Sequence, residues 1–376
     1  MDNSWDIFCK VVDNFGDAGV TWRLARQLAH EHGLKVRLWI DEPSVFARLC
    51  PGADPLAPSQ TVQGVEVCRW VEPWHSVAPA RVVIEAFGCK LPPAYEAALA
   101  AKPGDTLWVN LDYLSAEPWV GGCHGLPSMK SGGVRKFFFF PGFREDTGGL
   151  LRESDLLARR ASFESDAGAR AAFLGSLGVS PAAGARLISL FAYENDGLAG
   201  WLERLASAPQ PVHLLVPEGR VLASLEPWVG ARLRPGETHA RGALTVQVLP
   251  FVSQDAYDRL LWACDFNAVR GEDSFVRAQW AGRPMLWHIY RQDEYAHWEK
   301  LEAFLDLYTE ALTDAAAEAL SGLWRAWNMD GDMAAAWAGF EAHRDELQAH
   351  SRAWCERLAA RPDLAAALVQ FCRNSL

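Results

Sequence analysis

The feature that most restricts the fold of this 376-residue chain is the order of its first forty residues. Trp5 to Val12, WDIFCKVV, is a β-rich run that stops at Asp13-Asn14-Phe15-Gly16. A helical pattern follows at once, with Val20, Leu24 and Leu28 at i, i+4 and i+8 and Arg23, Arg26 and Gln27 on the other face. Gly33 closes that pattern, and Val36 to Ile40, VRLWI, reads as a second strand. Strand, tight loop, helix, strand is the unit from which a parallel sheet is built.

The same alternation continues along the chain. Val82 to Phe87, Leu107 to Leu111 and Phe137 to Phe140 read as further strands, and Gly121 to Gly133 reads as a turn-rich surface loop. A polar, Ala/Gly-rich stretch from about Glu145 to Gly184 separates the halves. Beyond it, Leu187 to Phe191, Val212 to Val216, Leu244 to Leu249 and Met285 to Ile289 are strand candidates with helical segments between them. After Tyr290 the pattern is wholly helical: Leu320 to Phe340 is amphipathic, and a last helix starts near Pro362 with Leu364, Leu368 and Cys372 on one face. The length exceeds what one hydrophobic core serves, so two α/β domains followed by helices are expected.

Charge narrows the function. With 36 Lys and Arg against 47 Asp and Glu, the formal net charge is −11, which argues against an extended footprint on nucleic acid. Apolar runs are too short to span a bilayer, and the opening Met-Asp-Asn-Ser-Trp-Asp has no basic leader. Eight scattered cysteines without a C-x-x-C read as buried thiols in a reducing compartment, and nothing near Cys123-His124 completes a metal set. The expectation is a cytoplasmic protein with no nucleic-acid or membrane partner.

In open parallel sheets, ligands bind beyond the carboxyl ends of the strands, and two loops stand out by that rule. Val12 to Gly19 carries Asp13 and Asp17, four apart, with Gly16 and Gly19 allowing close backbone approach. It lacks the G-x-G-x-x-G fingerprint and the P-loop lysine. Carboxylates beside a helix start repel phosphate and suit a cationic or proton-donating substrate, and a plain helix cap by Asp17 is the competing reading. The second loop, Val269 to Ser274, opens a helix, Phe275 to Ala281, that Gly282 and Pro284 terminate. Its free amides, with Arg270 and the Ser274 hydroxyl as donors, can hold a diphosphate, whereas Glu272 suits sugar hydroxyls. A capping cluster is the alternative there. Phe191-Ala192-Tyr193-Glu194 and Pro250 to Gln254 also fall at strand ends, where an aromatic could stack on a base and a glutamine read its edge.

Phe251 to Tyr290 resembles the donor-binding region of GT-B glycosyltransferases. Together with W-D-I-F-C-x-V-V-D-N-F-G-D-x-G-V, N-L-D-Y-L-S-A-E-P-W-V at Asn110 to Val120, Gly125 to Ser128 and F-F-F-F-P-G-F at Phe137 to Phe143, the chain resembles the elongation factor P arginine rhamnosyltransferase family along essentially its whole length. The resemblance implies a GT-B fold, with two Rossmann-like α/β domains facing a central cleft. Residues 1–160 would form the acceptor-binding domain, with the helix 352–376 packing back on it, and 180–350 the nucleotide-sugar domain. It further implies inverting transfer of L-rhamnose from dTDP-β-L-rhamnose to an arginine of elongation factor P, without a metal or other cofactor. Asp17 would be the general base and Asp13 its catalytic partner, with Asn14, Phe15, Gly16, Asp112, Tyr113, Leu114 and Ser115 on the acceptor side. Phe191, Tyr193, Phe251, Gln254, Arg270, Gly271, Glu272, Asp273 and Ser274 would surround the donor. Tyr193, Arg270 and the amides of Asp273 and Ser274 would meet the diphosphate, and Phe251 and Gln254 the thymine. Ala18 and Phe15 depart from the family pattern as changes in packing. Another GT-B glycosyltransferase or a sugar-nucleotide epimerase would share the donor loop but not the D-N-F-G-D opening.

Overall fold

The computed structural model describes residues 3–13, 15–74, 77–101, 106–128, 134–291 and 296–376. The chain divides into two compact units, Met1–Ser154 with Leu358–Leu376, and Asp155–Arg357. Among the described residues, no helix is long and apolar enough to cross a membrane.

The first unit runs β1 (Ser4–Cys9), α1 (Phe15–His32), β2 (Lys35–Ile40), α2 (Pro43–Leu49), β3 (Ser59–Val62), β4 (Val65–Arg69), β5 (Val82–Ala86), α3 (Pro93–Ala100), β6 (Leu107–Leu111), α4 (Trp119–Cys123), β7 (Pro127–Ser128) and β8 (Lys136–Phe139). The sheet order is β3-β4-β2-β1-β5-β6-β8-β7. The outer strands β3 and β7 pair antiparallel, and the six between them are parallel. Counted alone, those six follow the 3-2-1-4-5-6 order of a doubly wound fold, so the winding reverses between β1 and β5. Trp5 to Cys9 are all buried, as a parallel strand covered on both faces requires.

A carboxylate inside such a strand must be fully hydrogen-bonded. Asp6 is: Arg37 donates to both of its oxygens at 2.6 Å, and Trp39 Nε1, the Ala80 amide and the Tyr95 hydroxyl donate as well. The polar face expected on α1 is largely buried, with Arg26 alone of its three residues partly exposed. Arg23 and Gln27 are only 1% and 2% exposed. Arg23 Nη1 reaches Glu153 at 3.3 Å, and Gln27 Nε2 donates to the Arg152 carbonyl and to Asp363. These three partners arrive from distant sequence, so helical period alone could not place them.

The second unit holds α5 (Leu156–Ser165), α6 (Ala167–Ser176), β9 (Arg186–Leu190), α7 (Leu198–Ala206), β10 (Val212–Pro217), α8 (Leu222–Val229), β11 (Thr238–Arg241), β12 (Leu244–Leu249), α9 (Gln254–Ala263), β13 (Phe266–Arg270), α10 (Asp273–Ala281) and β14 (Met285–His288). Helices α11 (Ala296–Thr309), α12 (Asp314–Asn328), α13 (Met333–Ala342) and α14 (Arg344–Ala359) follow. The sheet order is β11-β12-β10-β9-β13-β14, with only the edge strand β11 antiparallel among these pairings. Its parallel strands run 3-2-1-4-5, so the winding reverses between β9 and β13. The final helix, α15 (Leu364–Ser375), belongs to the first unit, where Phe371 packs 5.5 Å from both Phe137 and Phe139.

Three local readings change. Gly121 to Gly133 is not one loop: it includes most of α4 and all of β7, and residues 129–133 lie outside the described set. Leu320 to Phe340 is broken between α12 and α13, where Asp330 takes a positive φ of 55°. Val269 and Arg270 end strand β13 rather than opening a loop. Trp201, Trp324 and Trp327 of this unit are fully buried in its core, whereas Trp228 and Trp298 are half-buried.

Candidate active site

Each parallel sheet gathers the loops at its strand carboxyl ends along one edge, and each edge has a crevice where the winding reverses. In the first unit that place lies between β1 and β5. Helix α1 begins at Phe15 directly after the β1 loop, and Asp17 stands in its first turn. Its Oδ2 accepts the amides of Val12 at 2.8 Å and Asp13 at 2.9 Å. Asp17 therefore reaches back to the loop before the helix, as the third residue of a capping box does, instead of capping forward amides. It is 5% exposed, and burial raises its pKa above the ordinary carboxylate value. The two amide hydrogen bonds oppose that shift, and the nearby Asp41 charge adds to it.

Asp13 is set by the glycine that follows it. The Gly16 amide donates to the Asp13 carbonyl at 2.7 Å, and a Cβ on Gly16 would stand 2.9 Å from Asp13 Oδ2. The Phe15 ring lies under Arg48 of α2, 5.3 Å from ring centre to guanidinium carbon. Asn14, the remaining loop residue named from sequence, lies outside the described residues.

After β5, Phe87 adopts a positive φ of 56°, uncommon for a side chain of its size, and its ring stacks on Tyr113 at 5.1 Å. Asp112 Oδ1 accepts the Tyr113 amide at 2.8 Å, which fixes the turn out of β6. Leu114 and Ser115 are buried, and Ser115 Oγ donates to Glu117 at 2.8 Å. Within Asp112 to Ser115, Tyr113 and Asp112 border the edge, whereas Leu114 and Ser115 serve the scaffold. The His124 ring is also structural, its Nδ1 accepting the Phe140 amide at 3.1 Å.

In the second unit the reversal lies between β9 and β13, and the structure brings Phe191, Tyr193 and Arg270 together there. The Arg270 guanidinium carbon sits 4.5 Å from the Phe191 ring centre and 4.8 Å from that of Tyr193. Arg270 is 8% exposed, and its Nη1 is buried without a hydrogen-bond partner. A buried, unpaired guanidinium nitrogen is costly unless a ligand satisfies it.

Gly271 takes a positive φ of 58°, and its carbonyl accepts the Trp287 indole at 2.7 Å, turning the chain from β13 into α10. Glu272 is the N-cap of α10 without capping through its side chain, and Asp273 is the acid of the first turn. Ser274 was expected to donate to a phosphate. Its hydroxyl instead accepts the Arg270 amide at 3.0 Å and donates to the Arg270 carbonyl, so that hydrogen is already used within the chain. Phe251 and Gln254 stand at the same edge after β12, which is two strands from β9. A buried two-pronged ion pair, Arg277 to Asp258 at 2.7 Å through each nitrogen, ties α10 to α9.

Other groups at this crevice carry no sequence motif. Arg220, after β10, lies 5.5 Å over the Tyr193 ring and pairs with Glu194. His288, at the end of β14, meets Tyr193 edge-on at 5.2 Å. Burial, with Arg291 and Arg270 adding, pushes its pKa down to about 3, so it is neutral. The strand-end rule applied to β10 and β14 is the one sequence signal that could have pointed to them.

The model of the Elongation-Factor P (EF-P) rhamnosyltransferase EarP family matches residues 5–373. A protein-arginine rhamnosyltransferase of Pseudomonas putida is 64% identical over 377 aligned residues, covering 100% of both chains. One from Pseudomonas aeruginosa is 60% identical, covering 98% of each. Among solved structures, one presented as the structural basis for EarP-mediated arginine glycosylation of translation elongation factor EF-P is 51% identical, covers 99% of both chains and gives a TM-score of 0.73. The fold is also that of an α,α-trehalose 6-phosphate synthase from Burkholderia multivorans, 12% identical, with a TM-score of 0.50 over 100% of this chain and 97% of that one.

Proposed function

This chain belongs to the EF-P rhamnosyltransferase EarP family and is a protein-arginine rhamnosyltransferase, and from that premise we propose that it moves L-rhamnose from dTDP-β-L-rhamnose to one arginine of elongation factor P with inversion. The observation that carries the chemical part of this reading is Asp17, a buried carboxylate held through Oδ2 by two loop amides. That arrangement leaves Oδ1 to meet the acceptor.

An arginine keeps its proton to above about pH 12 and is a poor nucleophile while its charge is delocalised. Asp13 and Asp17 answer both difficulties: carboxylates orient the guanidinium fork by charge-assisted hydrogen bonds, and one of them takes a proton. In the step itself, a guanidino nitrogen attacks the anomeric carbon and a C–N bond forms. The C–O bond to the diphosphate breaks, and its electron pair leaves on the dTDP oxygen. The nitrogen's proton passes to Asp17. Single-step attack from the face opposite the leaving group converts a β donor to an α-linked product. The raised pKa of Asp17 suits a base that must hold a proton from so weak an acid.

The leaving group gains negative charge, and the second sheet supplies the opposite sign. Arg270 Nη1 and the amides at the start of α10 are the proposed donors for the diphosphate. In this reading Tyr193 lines the same pocket, Glu272 meets the sugar hydroxyls, and Phe251 and Gln254 take the thymine. No step in this scheme is routed through a metal or other cofactor. The test is the intact mass of purified elongation factor P after incubation with the enzyme and dTDP-β-L-rhamnose. A gain of one deoxyhexose on a single arginine is expected. An unchanged mass with active donor would overturn the assignment.

A further inference from the structure

Asp41, the first residue after β2, lies outside every motif of the sequence, yet it is bound to the catalytic loop. Its Oδ1 accepts the Val11 amide at 2.9 Å. The next two amides, Val12 and Asp13, go to Asp17 Oδ2. Three consecutive amides between β1 and α1 are thus gathered by two carboxylates that come from different elements. The Gly16 amide then closes the turn on the Asp13 carbonyl.

We propose that Asp41 is a positioning residue of the transfer reaction: it anchors the acidic loop from the β2 side and acts on Asp17 through its charge. The inference rests on Asp17 being the base. Anchoring Val11 limits where Val12 and Asp13 can stand, and those two residues hold the Asp17 carboxylate. Charge acts in the same direction, because a neighbouring negative group disfavours ionisation and strengthens Asp17 as a proton acceptor. The groups acting on Asp17 are the Val12 and Asp13 amides of the loop, Asp41 just after β2, Cys9 at the end of β1 and Thr21 one turn along α1. Thr21 Oγ1 donates to the Asp17 carbonyl at 2.9 Å. Cys9 is held as a neutral thiol by burial, so the negative charge acting on Asp17 is that of Asp41.

Two substitutions separate anchor from charge. Asp41→Asn keeps the oxygen that accepts the Val11 amide and removes the charge, whereas Asp41→Ala removes both. The full-length enzyme is assayed with elongation factor P and dTDP-β-L-rhamnose from pH 5 to 9, and dTDP binding is measured by calorimetry. Asp41→Ala is expected to lose about ten- to a hundredfold in kcat, as a misplaced catalytic group does, with dTDP affinity unchanged. Asp41→Asn should recover most of kcat near neutrality and move the acid limb of the profile down by roughly half a unit to one unit. An unmoved acid limb in Asp41→Asn, or parental kcat in Asp41→Ala, overturns the inference. If Asp41→Ala does not fold, the pH profile of Asp41→Asn decides alone. Turnover surviving in Asp17→Asn would instead remove the base itself, whatever the Asp41 variants do.

Discussion

Asp17→Asn isolates proton acceptance from architecture. The side-chain oxygen that receives the Val12 and Asp13 amides at 2.8 and 2.9 Å is retained in asparagine, so the loop keeps its two anchors. Burial also favours the change, since burial already disfavours the charged form of Asp17. Stability should therefore be kept or slightly increased. What disappears is the group proposed to receive the guanidinium proton. General-base contributions are about 10²- to 10⁴-fold, which corresponds to about 2.7–5.5 kcal/mol on the barrier. Single-turnover assays on elongation factor P, read by intact mass, should show that loss in the rate of transfer. Calorimetry should show dTDP affinity within about twofold of the parent, because the groups proposed to hold the diphosphate are Arg270 and the start of α10. The parent's pH dependence gives an independent check. Asp17 accepts a proton only while ionised, so the rate falls as pH drops through its pKa, and burial places that acid limb above the ordinary carboxylate value. Turnover within about threefold of the parent, well below the range for a general base, would refute the reasoning. So would lost dTDP affinity with transfer preserved.

Arg270→Ala should weaken dTDP binding by about ten- to 150-fold, the range of one charge-assisted hydrogen bond. Because Nη1 has no partner in the chain, its removal should cost only the packing on Phe191 and Tyr193, a modest fall in Tm; a drop of more than about 5 °C would make the residue structural. Gly16→Ala would force the Asp13 carboxylate away from its place 2.9 Å from the new Cβ. Its kcat should fall by about tenfold or more with dTDP affinity intact, and parental kcat would show that the Asp13 position is immaterial. Asp258→Ala strands the fully buried Arg277 and should cost about 3–5 kcal/mol in denaturant unfolding of the second unit. Asp258→Leu with Arg277→Met should recover much of that stability, and no recovery would mean that the charges themselves are required.

Strand positions were legible because parallel strands buried on both faces advertise themselves as short apolar runs. Leu107–Leu111 and Leu244–Leu249 match the sequence reading residue for residue. Strand β13 did not read as a strand, since Asn267 and Arg270 interrupt its apolar character. Both are tolerated there for reasons invisible locally: Asn267 Nδ2 donates to the Leu261 carbonyl at 3.1 Å, and Arg270 packs against two rings. The acidic pair and the Arg270 loop were legible as clusters of charge at strand ends. Which atoms face outward was not, because the Ser274 hydroxyl turns back on its own strand. Asp41 left no trace in local pattern, since its role depends on β2 lying beside β1.

The two reversal points have the same topology but differ in their charged groups, and on the proposed reading this reconciles a net charge of −11 with an anionic donor. In the first unit the first turn of α1 presents the Asp17 carboxylate, whose amide partners are Val12 and Asp13 of the preceding loop. In the second, the fourth parallel strand ends in a guanidinium between two aromatic rings, and no carboxylate pairs with its Nη1. Paired with an internal acid, Arg270 would gain stability and lose its attraction for phosphate, as Arg277 has done with Asp258. Left unpaired, it raises the free energy of the empty protein and recovers that energy when an anion arrives. Net charge screens over about 8–10 Å at physiological ionic strength, so it governs encounter more than the contact itself. Raising salt should therefore speed the approach of the donor through the acidic surface while weakening its hold at Arg270. Association and dissociation rates for dTDP should both increase with ionic strength. An association rate that fell with added salt would show that the local field at the second reversal point, and not the net charge, already dominates at long range.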